Sequence, residues 1–443
     1  MEIQEKTKKT LNFVYDSWVL DIPHYNLGEL IGNGDFRDEY GFFDFYQRFF
    51  NTQLPEKYDR KTFEVKKCKI SDVYENPNEL YYYGIKTSFS LYDIFGEREW
   101  KFSDSLVKCL KECENIKVLF IREHEPETYR DFECIVNYLD TENIPHNRFS
   151  IISNNPKIND YKKEFSSDII FHRTNLLQIT SSSVWNELGS ELVKNKTGSF
   201  FSCFNKSPKR HRISTLICLQ QSGVLKDVNW SMLVDYRSGR GYDEELYEDF
   251  EYLIGPINNG IEEHIDSILN RGDKKSDYEE NSANLVNGGF EKPNIEIGGA
   301  GGESGGIMVP ESNESHNQSY VNIVTESIFE EHWNAIHVTE KSTRPFFYYQ
   351  LPIIIATKGH IKFMEEEFGF DFYRDLIDHS YNDIQDDFNR FQGAIKEIKR
   401  LQNNKEKVIE YYHNNIDRLE KNKQIVSNLP NNDQDMIYFL NVL

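Results

Sequence analysis

Short apolar runs that alternate with stretches at helical spacing predict an α/β protein built on parallel sheets. The alternation restarts near residue 198, which predicts two such domains in tandem followed by a helical tail. The length agrees: 443 residues exceed one ordinary core and fit two domains of about 150–200 residues each. The expected boundaries are 1–195, 196–400 and 401–443.

In the first domain, residues 115–125 carry the apolar run Ile116-Lys117-Val118-Leu119-Phe120-Ile121 and read as a buried strand ending in a polar loop. Residues 129–139 then read as a helix, 149–153 as the next strand and 168–171 as a further short one. In the second, residues 199–204 read as a strand. A helix follows from Pro208 to about Gln221, opened by proline and stopped by Gly223. Later come strand 320–325, a helix over about 340–349, strand 352–356 and a helix over about 361–368. Residues 383–423 hold Lys, Glu, Asn and Ile at helical spacing and read as one or two long surface helices. Residues 287–318 contain eight glycines without the spacing or the Lys-Ser/Thr of a phosphate loop. They read as a flexible insertion, with a lid as the alternative.

Composition narrows the function. Hydrophobic residues make up 38% and aromatics 14%, with 31 Phe and 26 Tyr, enough for packed cores despite a mean hydropathy of -0.66. A formal charge of -22 disfavours wrapping long nucleic acid, which relies on Lys and Arg displacing counterions. It leaves room for a local basic cleft. No run reaches the roughly 18 apolar residues of a membrane span. The six cysteines (Cys68, Cys109, Cys113, Cys134, Cys203, Cys218) show no repeated spacing and read as reduced thiols. A cytoplasmic, membrane-free protein is expected.

Two segments carry chemistry. The first runs Asn205-Lys206-Ser207-Pro208-Lys209-Arg210-His211-Arg212, a strand end, a cationic turn and a helix start. Free backbone N–H groups and the positive end of the helix dipole favour an anion there. Lys206, Lys209, Arg210 and Arg212 suit that anion to a diphosphate; the plainer reading is a solvated basic turn. His211 either donates to the phosphate or packs. In the second segment a strand ends in Glu326. A loop leads to Thr339, a good N-cap, with Glu340 and Lys341 in the first helical turn, and the chain returns through an apolar strand after Gln350. That βαβ unit puts a carboxylate and an ammonium at the C-terminal edge of a parallel sheet, where ligands bind.

Glu326-Ser327, Thr339-Glu340-Lys341 and the following Leu351-Pro352-Ile353 strand resemble the donor-site signature of the α-1,3-fucosyltransferase and exostosin-like families. Cys203-Phe204-Asn205 with Arg212 is similar to their Ser-Asn…Arg element. The longer pattern, through residues 368–372 and 380–382, looks more like glycosyltransferases inferred from phage and large-virus genomes. Ser327 stands where Asn often follows the Glu. The resemblance covers about 199–390 without the insertion. It implies a GT-B-like fold, two Rossmann-like domains facing a cleft, with the acceptor on the first and the nucleotide sugar on the second. It also implies that Lys341 binds the pyrophosphate, Glu340 the ribose hydroxyls and Arg212 the second phosphate, with Glu326 supporting the sugar or ribose. Asn205, Lys209, Arg210 and Thr339 complete the expected donor site.

An inverting transferase needs a carboxylate or imidazole to take the acceptor proton. Glu125, before Pro126, is similar to the base-bearing Glu-Ser-Pro segment of fucosyltransferases. Glu123 and His124 are alternatives, Asp21 and His24 a further pair, and an acidic solvated loop the plainer reading. No metal or cofactor is expected beyond the nucleotide-sugar substrate, since cations and a helix dipole can stabilise the leaving diphosphate; Asp243-Glu244-Glu245 reads as an acidic helix start. The expected function is sugar transfer from a nucleotide sugar to a glycan or other hydroxyl acceptor, probing no membrane. The alternatives are transfer to a hydroxylated DNA base, and non-catalytic binding of a nucleotide sugar or glycan.

Overall fold

The computed structural model describes residues 9–15, 63–87, 101–122, 127–153, 155–173, 192–205, 209–233 and 316–429, with Leu91, Phe95, Leu253 and the pair 284–285. The chain divides into two units. One comprises Met1–Thr180, Trp333–His337 and Pro430–Leu443; the other comprises Ser181–His332 and Val338–Leu429.

The first unit holds six strands: β1 (Lys9–Tyr15), β2 (Phe63–Lys69), β3 (Tyr81–Thr87), β4 (Ile116–Arg122), β5 (Phe149–Ser153) and β6 (Ile170–Arg173). They form one sheet in the order β2-β1-β3-β4-β5-β6, every pairing parallel. Helices α1 (Ile70–Glu75), α2 (Asp104–Glu112), α3 (Tyr129–Glu142) and α4 (Ile158–Glu164) connect them. Two helix starts are locally encoded. Ser103 caps α2 by accepting from Leu106 N at 3.1 Å, and Thr128 and Asp131 cap α3 reciprocally. Aromatics carry much of this core. Phe95, Phe102 and Tyr138 pack with centroids 4.7–5.5 Å apart, and the Tyr138 hydroxyl accepts from Phe102 N at 2.9 Å.

The second unit holds β7 (Phe201–Asn205), β8 (Val228–Leu233), β9 (Asn284–Leu285), β10 (Val321–Thr325) and β11 (Leu351–Ile355). The sheet order is β11-β10-β7-β8-β9, parallel except for the β8–β9 edge. Counted from its own first strand that order is 3-2-1-4-5, the Rossmann arrangement, so the order reverses between β7 and β10. Every residue of β10 and β11 is buried, as expected of parallel strands covered on both faces.

Helices α5 (Arg210–Gln221), α6 (Glu340–Phe347) and α7 (His360–Phe368) follow β7, β10 and β11. Gly369, at φ 76°, ends α7 in the left-handed region. The motif after it is structural. Phe370 stacks on Phe346 at 4.4 Å, and the Asn382 side chain accepts from Ile361 N at 2.9 Å and donates to the Thr357 carbonyl at 3.1 Å. The tail is three helices rather than one or two: α8 (Asp387–Asn403), α9 (Lys405–Asn414) and α10 (Ile416–Asn428), divided at Asn404 and Asn415. Their apolar faces are buried in the second unit at Phe391, Ile398, Val408, Leu419 and Val426. No described helix is long and apolar enough to cross a membrane. All six cysteines are free thiols. The Gly-rich insertion lies outside the described residues except for its last few.

Candidate functional site

The reversal point of the second sheet falls where β7 ends in Asn205 and β10 ends at Glu326, and two helices begin there. The Thr325 hydroxyl donates to the Asn205 side-chain oxygen across the strand ends. Asn205 is 4% exposed, so this bond ties the ends of β7 and β10 together inside the fold.

Glu326 is buried, and both of its polar ends are used. Its carboxylate receives the start of α6: Oε1 accepts from Thr339 N at 3.0 Å and from the Ser342 hydroxyl, and Oε2 accepts from the Thr339 hydroxyl at 2.8 Å. Oε2 also accepts from Ser327 N at 2.9 Å. Its main-chain oxygen receives the start of α5, from His211 Nε2 at 2.7 Å and an Arg212 guanidinium nitrogen at 3.3 Å. Glu326 therefore joins two helix N-termini, and its role in this structure is a brace whose oxygens are engaged within the protein. His211 packs rather than facing solvent. Its ring stacks on Phe329 at 5.4 Å. Burial first, and then the Arg212 guanidinium, hold its imidazole well below the usual range, so it donates to the Glu326 oxygen as a neutral ring. Arg212 is 2% exposed.

The remaining cations lie closer to the edge. Lys209, the N-cap position of α5, has no side-chain capping bond; its Nζ donates to the Ser327 carbonyl at 2.8 Å. Arg210 is half-buried in the first turn. On α6, Thr339 caps the helix by accepting from Lys341 N at 3.2 Å. Lys341 Nζ reaches Glu340 Oε1 at 2.8 Å and the Thr339 hydroxyl at 3.3 Å. Burial alone would raise the Glu340 carboxyl; the Lys341 and Arg344 cations beside it outweigh that and hold it at about 2. Ser342 also contacts His360 Nε2, at 2.9 Å. Burial lowers that imidazole to about 4, against an opposing pull from Glu326.

Among the described residues, Lys209, Arg210 and Arg212 thus stand at the start of α5 and Lys341 at the start of α6, with Arg344 one turn beyond Glu340, in a chain of formal charge -22. Positive helix ends and cations suit a di-anionic or tri-anionic group. The sequence reading missed Ser342, Arg344 and His360. Once the helix start at 340 is fixed, its period puts Ser342 one turn from the Thr339 cap and Arg344 one turn from Glu340. His360 follows β11 at the same sheet edge. Lys206, Glu123, His124, Glu125, Asp21, His24 and Asp243-Glu244-Glu245 lie outside the described residues. Among the described residues no group of three or more His, Cys, Asp or Glu is placed to hold a metal ion.

No protein-family model and no curated protein matches the sequence. Two solved structures are similar in outline. One is the DNA modifying enzyme beta-glucosyltransferase, studied with and without uridine diphosphoglucose: TM-score 0.36, 9% identity, covering 96% of this chain and 98% of that one. The other is a T4 phage BGT mutant in complex with UDP-glucose: TM-score 0.34, 10% identity, with the same coverage. Likeness at that level specifies neither activity nor substrate.

Proposed function

We propose that the chain is a GT-B glycosyltransferase that binds a nucleotide-sugar donor at the β7–β10 edge of the second unit. One observation carries this reading: the N-termini of α5 and α6 meet on Glu326 with a surplus of cations at the reversal point of a Rossmann-ordered sheet. Lys209, Arg210 and Lys341 hold the diphosphate, with Arg212 acting behind them, and Glu340, ionised throughout the physiological range, accepts from the ribose hydroxyls. Asn205, Glu326 and Thr339 hold the helix starts in place.

In the proposed reaction the acceptor hydroxyl oxygen attacks the anomeric carbon and the bond from that carbon to the diphosphate oxygen breaks, with inversion. The diphosphate leaves with the bonding electrons, stabilised by the cations and the two dipoles without a metal. The hydroxyl proton passes to a carboxylate, assigned to Glu125 with Glu123 as the alternative. The acceptor is a glycan or another hydroxyl compound.

A thermal-shift panel of GDP-, UDP-, CMP- and dTDP-sugars tests the donor site, since saturation at a hundred times Kd stabilises the fold by about 2.7 kcal/mol. Titration of variants with the stabilising nucleotide follows. Lys341→Ala loses a charge-assisted contact of about 1.5–3 kcal/mol and binds roughly ten- to a hundredfold more weakly. Lys226→Ala, an exposed cation in the turn after α5, binds as wild type does. Glu125→Ala binds donor normally and loses turnover; a wild type that binds but never turns over is a binding protein instead. If no nucleotide sugar shifts the melting curve, the reading fails.

A further inference from the structure

Arg344 is a cation whose donors the protein leaves largely unspent. It sits on α6 one turn beyond Glu340, with its side chain 13% exposed. Among the described residues its one ion-pair contact is Glu340 Oε1 at 3.8 Å, beyond hydrogen-bond range, and that oxygen is already held by Lys341 at 2.8 Å. Arg344 Nε is buried without a hydrogen-bond partner. Five N–H donors on a nearly buried guanidinium would ordinarily be spent on carboxylates or carbonyls.

The neighbouring His316 has the same character. It is 2% exposed, its ring lies against Tyr348 at 5.0 Å and Phe204 at 4.5 Å, and its Nδ1 is buried without a partner. Burial first, and then the Arg344 charge, hold it neutral. A cation with idle donors beside a ring with an idle nitrogen is expensive to maintain in a closed protein. Arg390, on α8, shows the contrast. It is more deeply buried, with its side chain 1% exposed, and it donates to the carbonyls of Ala356, Ile384, Gln385 and Phe329 at 2.7–3.1 Å and pairs with Asp387. Arg390 is spent on the fold; Arg344 is not.

We propose that Arg344 is a further donor-binding residue whose guanidinium donates to anionic phosphate oxygens of the nucleotide. This rests on the donor site proposed above. The planar fork matches a phosphate in two parallel bonds, which an ammonium cannot reproduce. Before ligand arrives, Arg344 and Lys341 crowd a single carboxylate, and binding relieves that crowding.

The test is calorimetric titration of wild type, Arg344→Lys and Arg344→Gln with UDP, GDP and inorganic pyrophosphate, together with ligand-free melting curves. For the probe that wild type binds best, Arg344→Gln is expected to bind ten- to a hundredfold more weakly, and Arg344→Lys to fall between. The ligand-free Tm of Arg344→Gln is expected to change little, because no hydrogen bond is lost and Lys341 still pairs with Glu340 at 2.8 Å once the longer 3.8 Å Arg344 contact goes. A structural role would lower that Tm and spare the affinity, and that result overturns the proposal. Equal binding by all three proteins overturns it too, while Lys341→Ala weakening in the same titration would leave the donor site standing. If wild type binds none of the probes, the donor site falls and the proposal with it.

Discussion

Replacing Glu326 by Gln keeps the side chain's volume and removes its charge, so it isolates what the brace contributes. Each carboxylate oxygen accepts one backbone N–H and one hydroxyl: Thr339 N and the Ser342 hydroxyl on Oε1, Ser327 N and the Thr339 hydroxyl on Oε2. The hydroxyls can rotate to accept from the new amide nitrogen, but a backbone N–H cannot. Whichever way the amide turns, one buried N–H faces a donor, at about 1–3 kcal/mol. The bonds that survive drop from charge-assisted to neutral strength, about 1 kcal/mol each, and the favourable charge at the start of α6 is lost, about 0.3–1 kcal/mol. With three surviving bonds the sum is about 4–7 kcal/mol, enough to lower the urea midpoint of the second unit clearly at ordinary m-values. Ser342→Ala, which removes one donor of the four, is expected to cost about 1–2 kcal/mol. Chemical denaturation followed by circular dichroism measures both. A Glu326→Gln variant within about 0.5 kcal/mol of wild type, the scatter of a neutral surface change, would refute the four-donor geometry.

Arg212→Ala should lower stability by about 2–4 kcal/mol as well as weakening donor binding, because the stem and guanidinium are buried; a variant with native Tm and weak binding would place the residue on the open edge. Burial lowers the Lys196 ammonium to about 7 in the folded chain from 10.5, so the unfolded state binds the extra proton between those values. Stability should therefore rise with pH from about 7 to about 10, and Lys196→Met should flatten that slope; an unchanged slope in the variant would assign the dependence elsewhere. Gly393→Ala would set a Cβ 2.7 Å from the Tyr381 Cβ and should cost about 1–3 kcal/mol; a native melting curve would show that α8 can shift to admit it.

Much of the second unit was legible because its strands advertise themselves. Residues 201–204, 321–324 and 351–355 are near-continuous apolar runs, as doubly covered parallel strands require, and Thr339 marks a helix start by chemistry alone. The first unit hid half its sheet. β2, on the edge, reads Phe-Glu-Val-Lys-Lys-Cys-Lys, and its exposed Lys66 side chain shows why an edge needs no apolar run. β1 begins with Lys9 inside a charged stretch, and β3 opens with three tyrosines whose burial hydropathy does not anticipate. At the site, residue types suggested an anion-binding edge, but sequence cannot say which polar groups are consumed internally. Glu326 and Arg212 look as available as Lys341 until the structure shows where their bonds go. Arg344 resembles an ordinary helix-surface cation until its Nε is seen to be buried without a hydrogen-bond partner.

The central pairing of the second sheet joins β7 to β10, and Asn205 and Thr325 are 120 residues apart in sequence. An ordinary crossover spans about 30 residues, so closing this longer loop costs two doublings in length, about 1.2 kcal/mol of chain entropy. That is cheap at equilibrium, and it explains how so long an excursion between β8 and β10 is compatible with the fold. Its kinetic effect is larger, because distant strands must find each other before their contacts repay the search. A chain emerging from the ribosome can complete β7, α5 and β8 well before β10 exists. The carbonyl that receives His211 and the carboxylate that receives Thr339 arrive together on one late residue, so this junction of two helix starts cannot form piecemeal and comes into being only when synthesis has passed Ser342.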